Sequence, residues 1–257
     1  MFSAQRLEEI VKILGNNGAA DVKELSDRLR VTPKTIRKDL DKLEEMGLLE
    51  RFHGGAILKP ASNLNSADPF QFEQRRQKHR PEKERIAEAA LRCIEEKDVI
   101  ILDSGSTTLE LAKRLGEKKI GVITNDLMIA LELMNKENVT LYLCGGKLQR
   151  DEVFTLTGRE ARKNMERYRA NKLFLSTGAL DFGAGLMVFS EEEADMKKAM
   201  LSIANRVICL VDYSKFHKLG FITFAKFEDI DMIITDDRIT DTDRSNILNR
   251  LIKLEIV

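Results

Sequence analysis

The chain has 257 residues, of which 43% are hydrophobic, and its 42 basic residues are balanced by 42 acidic ones. This length exceeds a typical domain of about 150 residues, so we expect two domains. Overall charge gives no support to nucleic-acid binding, so local charge has to carry any such function. We see no signal peptide and no apolar run near the roughly 20 residues that a membrane-spanning helix needs, which predicts a cytoplasmic protein without membrane contact.

The first 31 residues predict two short helices. Residues 4–15 carry an apolar face that ends at the glycine-rich and polar residues 15–18. Asp21 is placed to cap a second helix, which turns Val22, Leu25 and Leu29 inward. A two-residue connection then leads into a third helix, as in a helix-turn-helix.

The third helix begins at Thr32, which is a good N-cap. Ile36, Leu40 and Leu43 recur at helical spacing and form an apolar stripe. Residues 28–38 hold five cations and no acid. We therefore expect one face of this helix to be apolar and another to be cationic.

A short hairpin follows the third helix. Gly47 ends the helix, and apolar residues on both sides of the Gly54-Gly55 turn predict a two-stranded wing. Together these elements form a winged helix-turn-helix, whose third helix enters the major groove of DNA. The side chains expected to face DNA are Lys34, Thr35, Arg37 and Lys38. A small helical bundle with an ordinary solvated face explains the same apolar pattern and is the alternative.

The pattern breaks down at residues 59–80, where Pro, Ser and Asn are frequent. We expect a linker there, with the winged domain at residues 1–58 and a second domain at residues 81–257. Residues 71–85 hold six cations and three acids. These charges fit a solvated interdomain helix, with a secondary contact to DNA phosphates as the alternative.

Beyond the linker, short apolar runs alternate with helical patterns, which predicts a mainly parallel sheet covered on both faces. The runs are residues 99–102, 121–123, 139–144, 172–176, 207–211 and 232–234. Small, hydroxylated or charged residues follow each run, and the carboxyl ends of parallel strands are where such sheets bind ligands. The fold class is therefore α/β, preceded by a small α+β domain.

The first of these strand ends reads Ser-Gly-Ser-Thr-Thr at residues 104–108. Free backbone N–H groups at the helix start that follows, with hydroxyls beside them, favour a phosphate or another anion. A helix cap without a ligand explains the run equally well. The chain has no Walker A loop and no Gly-x-Gly-x-x-Gly pattern after a strand, so we expect no nucleotide cofactor. Since His79 and His217 lack partners at metal-ligand spacing, we expect no metal.

Two pairs suggest a polyol ligand. Glu193 and Lys197 are four residues apart on a predicted helix, and Asp212 and Lys215 flank a strand end. For the first pair the alternative is an exposed ion pair, which contributes about 0.3–0.5 kcal/mol to the stability of a helix.

Two segments of the first domain match a family pattern. Residues 35–40 read Thr-Ile-Arg-Lys-Asp-Leu, and residues 53–56 read His-Gly-Gly-Ala. They resemble the N-terminal signature of DeoR-type bacterial transcription regulators, which has Arg where this chain has Lys38. Lysine cannot make the bidentate fork of arginine, which changes the expected base contact. The resemblance implies further DNA contacts by Thr32, His53 and Gly54.

The second domain resembles the sensor of the same family in the order and spacing of its strand-end residues. The resemblance implies a domain similar to sugar-phosphate isomerases of the ribose-5-phosphate type, used for sensing a phosphorylated sugar or a related metabolite. Together with the loop at residues 104–108, the expected effector site comprises Asp103, Ser104, Gly105, Ser106, Thr107, Thr108, Thr124, Asn125, Gly145, Gly146, Glu193, Lys197, Asp212 and Lys215.

The sequence thus predicts a DNA-binding repressor of a carbohydrate operon. It would act as a dimer or tetramer and leave operator DNA when a sugar phosphate binds. Activation by the effector is an alternative. A sugar-phosphate isomerase is another, because a positioned carboxylate can serve as base while a lysine steadies an enediolate. Since an isomerase has no use for a DNA-reading module, we expect that the protein is not an enzyme.

Overall fold

The computed structural model describes residues 6–7, 9–11, 13–14, 18–45, 49–52, 54–58, 76–149 and 154–257. The chain divides into two compact units, Met1–Ser66 and Ala67–Val257. Most of the predicted linker, residues 59–75, lies outside the described residues, so its boundaries stay a prediction.

The N-terminal unit combines helices with a small sheet. Helical residues lie between positions 6 and 14. They are followed by β1 (Ala19–Asp21), α1 (Val22–Leu29), α2 (Pro33–Glu45), β2 (Leu49–Phe52) and β3 (Gly55–Leu58). The strands form an antiparallel sheet in the order β1-β3-β2. The predicted winged helix-turn-helix is therefore confirmed.

The wing has one strand more than the two that the sequence predicts. β1 pairs with β3, and Ala20 lies opposite Ala56. Because β1 has only three residues, it is too short to show the alternation by which a strand is recognised. Its tertiary partner alone determines it.

The two glycine positions of the wing require glycine for different structural reasons. Gly54 has φ +91°, a backbone conformation that disfavours other residues, and its carbonyl accepts the Val22 N–H at 2.8 Å. At Gly55 a Cβ atom would lie 2.5 Å from the Ala20 carbonyl oxygen. The Gly-Gly pair therefore lets the wing turn approach the start of α1.

The second unit, from residue 76 on, alternates helices and strands. Its elements in chain order are α3 (Arg80–Leu91), β4 (Val99–Leu102), α4 (Ser106–Arg114), β5 (Ile120–Thr124), α5 (Leu127–Leu133), β6 (Val139–Leu143), β7 (Lys147–Gln149), β8 (Thr155–Thr157), α6 (Arg159–Glu166), β9 (Lys172–Leu175), β10 (Ala179–Asp181), β11 (Gly185–Val188), α7 (Glu191–Ile203), β12 (Val207–Leu210), β13 (Ile222–Ala225), β14 (Met232–Thr235), α8 (Asp241–Leu248) and β15 (Lys253–Ile256).

Seven of these strands form one parallel sheet, in the order β15-β14-β12-β9-β4-β5-β6. Two hydrophobic clusters cover its faces. β4 contributes Ile101 to one cluster and Ile100 and Leu102 to the other, as expected when successive side chains point to opposite faces. The predicted parallel sheet, covered on both faces, is confirmed.

Strand β15 and two small antiparallel sheets are absent from the sequence prediction. β10, β11 and β13 form one of these sheets, and β7 and β8 form the other. Three of the five strands have only three residues, so their apolar pattern is too short to identify. Lys253 and Glu255 interrupt β15 with charge.

The strand order reverses beside β4. The chain proceeds from β4 through β5 to β6 on one side, then crosses to β9 and continues through β12 to β15 on the other. In open parallel sheets such a reversal leaves a crevice at the carboxyl ends of the two strands that flank it. The strands concerned are β4 and β9.

The cysteines of the second unit are free thiols. Burial raises the pKa of the Cys144 thiol to about 11 and that of Cys209 to about 12. The two buried thiols are therefore protonated at neutral pH and act as core residues, as predicted. In the described part of the chain, no helix has both the length and the apolar character required to cross a membrane.

We expect Gly55→Ala to destabilise the N-terminal unit by about 2 kcal/mol, because the new Cβ atom would press on the Ala20 carbonyl oxygen. Hydrogen exchange of the Ala20 and Ala56 amides measures this effect. Gly116→Ala is the matched control, since a Cβ atom there meets no described atom within 4 Å. Unchanged exchange in Gly55→Ala would contradict the close approach of β1 and β3.

Candidate functional site

Helix α2 turns cations outward. Lys34, Arg37 and Lys38 are exposed, whereas Ile36 and Leu40 on the opposite side are fully buried. Packing of the apolar stripe therefore fixes the direction of the three cations, which we call the cationic face. A helix with this display is suited to the phosphate backbone and base edges of DNA.

The first turn of α2 adds hydroxyl groups to this face. Thr32 Oγ1 accepts the Thr35 backbone N–H at 3.2 Å and lies 2.9 Å from the Thr35 hydroxyl. Thr32 is exposed and Thr35 is half-buried. The predicted N-cap is therefore formed, and it stands at the positive end of the helix dipole, where phosphates bind well.

Three acidic residues of α2 have partners in other elements. Arg6 grips the buried Asp39 carboxylate with two hydrogen bonds, of 2.5 Å from Nε and 3.1 Å from Nη2. Asp41 pairs with the Arg51 side chain on β2, and Glu44 accepts the Arg51 backbone N–H at 3.3 Å. Since these carboxylates have cationic partners or backbone donors, they compete less with DNA for the cationic face.

The wing contributes one described residue to the predicted DNA contacts. Gly54 is exposed at the turn between β2 and β3. His53 lies outside the described residues. Its contact with DNA stays a prediction.

A cleft opens in the second unit at the reversal of strand order. About 440 Å³ of empty space lies between its lining residues when the part open to solvent is included. It is lined by Lys83, Ser104, Gly105, Ser106, Thr107, Ser176, Thr177, Gly178, Glu193, Leu210, Val211, Asp212 and Lys215. Seven of the predicted effector residues, from three separate segments, thus come together here.

The remaining lining residues were not among the predicted site residues. Ser176, Thr177 and Gly178 follow β9, so the polar residues at that strand end were the available signal. Lys83 lies on α3, and it is only 4% exposed. The charges of residues 71–85 were expected on a solvated interdomain helix, so Lys83 was not placed in the effector site, although its spacing fits the family resemblance.

The start of α4 lies at the cleft, which Gly105, Ser106 and Thr107 line. Gly105, which has no side chain to cap the helix, precedes Ser106. A Cβ atom on Gly105 would lie 2.7 Å from Ser176 Oγ, so a larger residue would close the helix start against β9. Thr108 turns its hydroxyl back to the Gly105 carbonyl at 2.9 Å. Ser106 and Thr107, which line the cleft, therefore stand at a helix start that is suited to an anion; their contact with a ligand stays a prediction.

A buried ion pair forms the floor of this site. Lys197 Nζ lies 2.5 Å from Asp103 Oδ2, and both side chains are 1% exposed. Asp103 Oδ2 also accepts the Ser176 backbone N–H at 2.8 Å and the Ser176 hydroxyl at 3.0 Å. Burial opposes the charge on Lys197, but Asp103 and Glu193 outweigh it and raise the pKa of the ammonium group. Both predicted residues therefore support the cleft from below.

Four other predicted effector residues lie away from the cleft lining. Thr124 Oγ1 donates to the Leu102 carbonyl at 2.8 Å, and Asn125 Nδ2 donates to the Leu156 carbonyl at 3.0 Å. Gly146 belongs to a close approach, because a Cβ atom there would lie 2.5 Å from the Thr157 carbonyl oxygen. Gly145 precedes it at the end of β6. A direct contact of these residues with a ligand stays a prediction.

Asp126 supports the anion site from the side. It caps α5 by accepting the Met128 and Ile129 backbone N–H groups at 2.7 Å and 3.0 Å. Burial raises the pKa of its carboxyl group from 3.8 to about 6; the hydrogen bonds it accepts, including one from the Gly105 backbone, oppose the rise, and the Asp103 charge adds to it. Asp126 thus ties the start of α4 to the start of α5.

The described residues include no group of three or more His, Cys, Asp or Glu side chains that could hold a metal ion. The chemistry of the cleft is that of hydroxyl groups, backbone donors, two lysines and two carboxylates. Such groups recognise an anion together with neighbouring hydroxyls.

Two family models match the chain. Residues 6–60 match the DeoR-like helix-turn-helix domain, and residues 78–237 match the DeoR C terminal sensor domain. The HTH-type transcriptional regulator GlpR of Haloferax volcanii is 36% identical over 248 residues, which cover 96% of this chain and 95% of that protein. The lactose phosphotransferase system repressor of Streptococcus mutans is 32% identical and covers 92% of this chain and 93% of its own.

Among solved structures, ribose 5-phosphate isomerase A from Methanocaldococcus jannaschii is similar to 54% of this chain and 55% of its own. The TM-score is 0.41 and the identity is 19%. A likeness of this degree carries no inference about substrate or chemistry.

We expect Asp126→Asn to stabilise the protein at pH 7. The pKa of this carboxyl group is raised in the folded state. Its favourable contribution to the free energy of unfolding is therefore complete below about pH 4 and is lost as pH rises through about 6. Asparagine keeps the cap without the charge, so the variant should gain about 2–3 kcal/mol over wild type between pH 4 and pH 7. Urea unfolding at both pH values measures this gain. The exposed Asp195→Asn is the control, and equal pH dependence in all three proteins would contradict the effect.

Proposed function

Because the chain belongs to the DeoR family of transcriptional regulators, we propose that it represses an operon of carbohydrate metabolism and leaves operator DNA when a phosphorylated sugar fills the cleft. The cleft carries this proposal. It joins a helix start and two lysines, which suit a phosphate, to carboxylates and hydroxyls, which suit a sugar.

The DNA-binding part of the proposed function rests on the cationic face. Its cations are exposed together on the helix that enters the major groove in a winged helix-turn-helix. We propose that Arg37 and Lys38 contact bases or phosphates, that Thr32, Lys34 and Thr35 contact phosphates, and that His53 and Gly54 bring the wing to the backbone. Phosphate contacts of this kind supply much of the affinity for DNA.

The effector-binding part of the proposed function rests on the two kinds of charged group in the cleft, its lysines and its carboxylates. Lys83 and Lys215 stand with the N-terminus of α4, where a dianionic phosphate is stabilised by charge and by backbone donors. Glu193 and Asp212 accept hydrogen bonds from hydroxyl groups. A ligand with one phosphate and several hydroxyls satisfies both sets.

We propose repression, rather than activation, because the relatives include a repressor. The lactose phosphotransferase system repressor of Streptococcus mutans matches the chain over nearly its full length. In a repressor of this kind the effector has to bind the DNA-free arrangement more tightly than the DNA-bound one, or it shifts nothing. We propose that at least two copies act together in the cytoplasm on an operator with two half-sites, as is general for helix-turn-helix proteins.

The protein is a regulator and not an isomerase. The relatives are transcriptional regulators, and residues 6–60 match the DeoR-like helix-turn-helix domain. The cleft agrees with this. Asp103, the candidate base at the strand end, is buried in an ion pair with Lys197 rather than exposed to a substrate.

We expect Arg37→Ala to raise the operator Kd by roughly 5- to 150-fold, which corresponds to about 1–3 kcal/mol for one specific contact. An operator is first selected from random duplexes, and the Kd is then measured by fluorescence anisotropy at fixed salt. Lys253→Ala removes an exposed cation of the second unit and serves as the control. An unchanged Kd in Arg37→Ala would remove this residue from the interface.

We expect the double variant Ser106→Ala with Thr107→Ala to weaken effector binding by roughly tenfold or more, since two hydroxyl donors to a charged group are lost. A thermal-shift screen of phosphorylated sugars against the parent sugars identifies the ligand, because a bound ligand stabilises the folded state. Calorimetry then gives the affinity of each variant. Thr140→Ala with Ser245→Ala, which alters exposed residues outside the cleft, is the matched control. Undiminished affinity in the first variant would refute the anion site.

A further inference from the structure

The residues directly before α3 contact a side chain in the wall of the cleft. We call residues 76–79 the entry segment, since the chain passes through them on its way from the N-terminal unit to α3. Lys83, which lines the cleft, donates its ammonium group to the Lys78 carbonyl at 2.7 Å. Its backbone N–H donates to the His79 carbonyl at 3.1 Å. One side chain thus contacts both the entry segment and the ligand space.

A second connection runs through two rings and a guanidinium group, those of His79, Tyr213 and Arg238, which we call the aromatic cluster. The His79 ring meets the Tyr213 ring edge to face, with centroids 5.0 Å apart. The Arg238 guanidinium lies 3.8 Å from the centroid of the same tyrosine ring. Tyr213 begins the short 3-10 turn Tyr213–Lys215, which places Lys215 in the cleft. The turn that holds a cleft lysine therefore also holds the entry segment.

The aromatic cluster is anchored on both sides. Arg238 Nη1 lies 3.1 Å from the Glu82 carboxylate on α3, and the Tyr213 backbone N–H donates to Asp236 at 2.7 Å. A backbone hydrogen bond and Arg238 lower the pKa of Glu82 against the effect of burial, so this pair is charged at neutral pH. The turn is therefore connected through these contacts to α3 and to the entry segment.

The backbone of the entry segment is held in an unfavourable conformation. His79 has φ 55° and ψ 36°, a left-handed conformation that non-glycine residues adopt rarely. Such a conformation persists only where the surroundings maintain it. The described contacts that maintain it are the Tyr213 ring and the Lys83 N–H. A loosened cluster would let His79 relax and change the direction of the chain that precedes it.

We propose that the aromatic cluster, together with the Lys83–Lys78 hydrogen bond, transmits occupancy of the cleft to the linker and hence to the DNA-reading unit. This rests on the proposed function. An anion in the cleft attracts the ammonium groups of Lys83 and Lys215, which draws the first from the Lys78 carbonyl and moves the turn that carries the second. Allosteric coupling of roughly 5- to 150-fold is usual for such linked sites.

The test separates binding from response. Tyr213→Leu keeps an apolar side chain but removes the ring contacts, and Tyr168→Leu, which alters a ring pair elsewhere in the second unit, is the matched control. Full-length protein is titrated with operator DNA by anisotropy, with and without a saturating sugar phosphate. The probe is whichever of ribose 5-phosphate, fructose 1-phosphate, fructose 6-phosphate and glucose 6-phosphate binds wild type most tightly by calorimetry.

We expect the probe to raise the operator Kd of wild type and Tyr168→Leu at least tenfold, and that of Tyr213→Leu less than twofold. The probe Kd of Tyr213→Leu should stay within threefold of wild type. Arg238→Gln, an exposed change that removes the cation over the ring, should give an intermediate response and covers the case in which Tyr213→Leu fails to fold.

Other outcomes overturn the transmission. A full response in Tyr213→Leu or in Arg238→Gln shows that occupancy reaches the DNA-reading unit by another route. Loss of probe binding in folded Tyr213→Leu shows that Tyr213 shapes the cleft itself. Wild-type protein that binds none of the four probes, or that binds one without a change in operator affinity, overturns the proposed function and the transmission with it.

Discussion

The Asp103–Lys197 ion pair is the interaction on which the fold of the second unit depends. It joins the end of β4 to α7 and, through Ser176, to the end of β9, so it closes the sheet beneath the crevice that the reversal of strand order creates. Taking two charges out of water is costly unless each finds a close partner, and removal of one partner from such a pair costs about 3–5 kcal/mol. The pair therefore holds its three elements in one arrangement.

The cleft follows from this arrangement. Asp103 is directed to Lys197, and two residues later the extended backbone of Gly105 passes close to Ser176, where a side chain would meet its hydroxyl group. The start of α4 is thereby left open towards the cleft. Two carboxylates line the cleft, the half-buried Glu193 and the buried Asp212. They suit the hydroxyl groups of a ligand, whereas Ser106 and Thr107 suit a phosphate.

The N-terminal unit meets a different constraint, because it has to present cations without being neutralised by its own acids. Asp39 is buried against Arg6, and Asp41 and Glu44 are held by Arg51 of β2. Although the whole chain has no net charge, these pairings leave the cations of α2 exposed together. DNA binding by a neutral protein is thus a matter of where charges are paired and not of how many there are.

The sequence by itself determined the elements whose signal is local. The stripe of Ile36, Leu40 and Leu43, the Thr32 cap and the runs of the parallel strands are set by neighbouring residues, so periodicity and end signals were enough to place them. The family resemblance, which depends on ordered motifs, gave the regulator and its two domains. Polar residues at strand ends indicated the ligand site, because topology brings such ends together at one edge.

The remaining features of the structure depend on residues that are far apart in sequence, so tertiary structure alone decided them. Strand β1 forms because it pairs with β3. Lys83 lines the cleft because α3 packs beside it, whereas Asp103 and Lys197 lie below the cleft and do not line it. The contact of His79 with Tyr213 joins residues 134 positions apart that carry no common motif. Their meeting depends on packing and strand order, which no short stretch of sequence encodes.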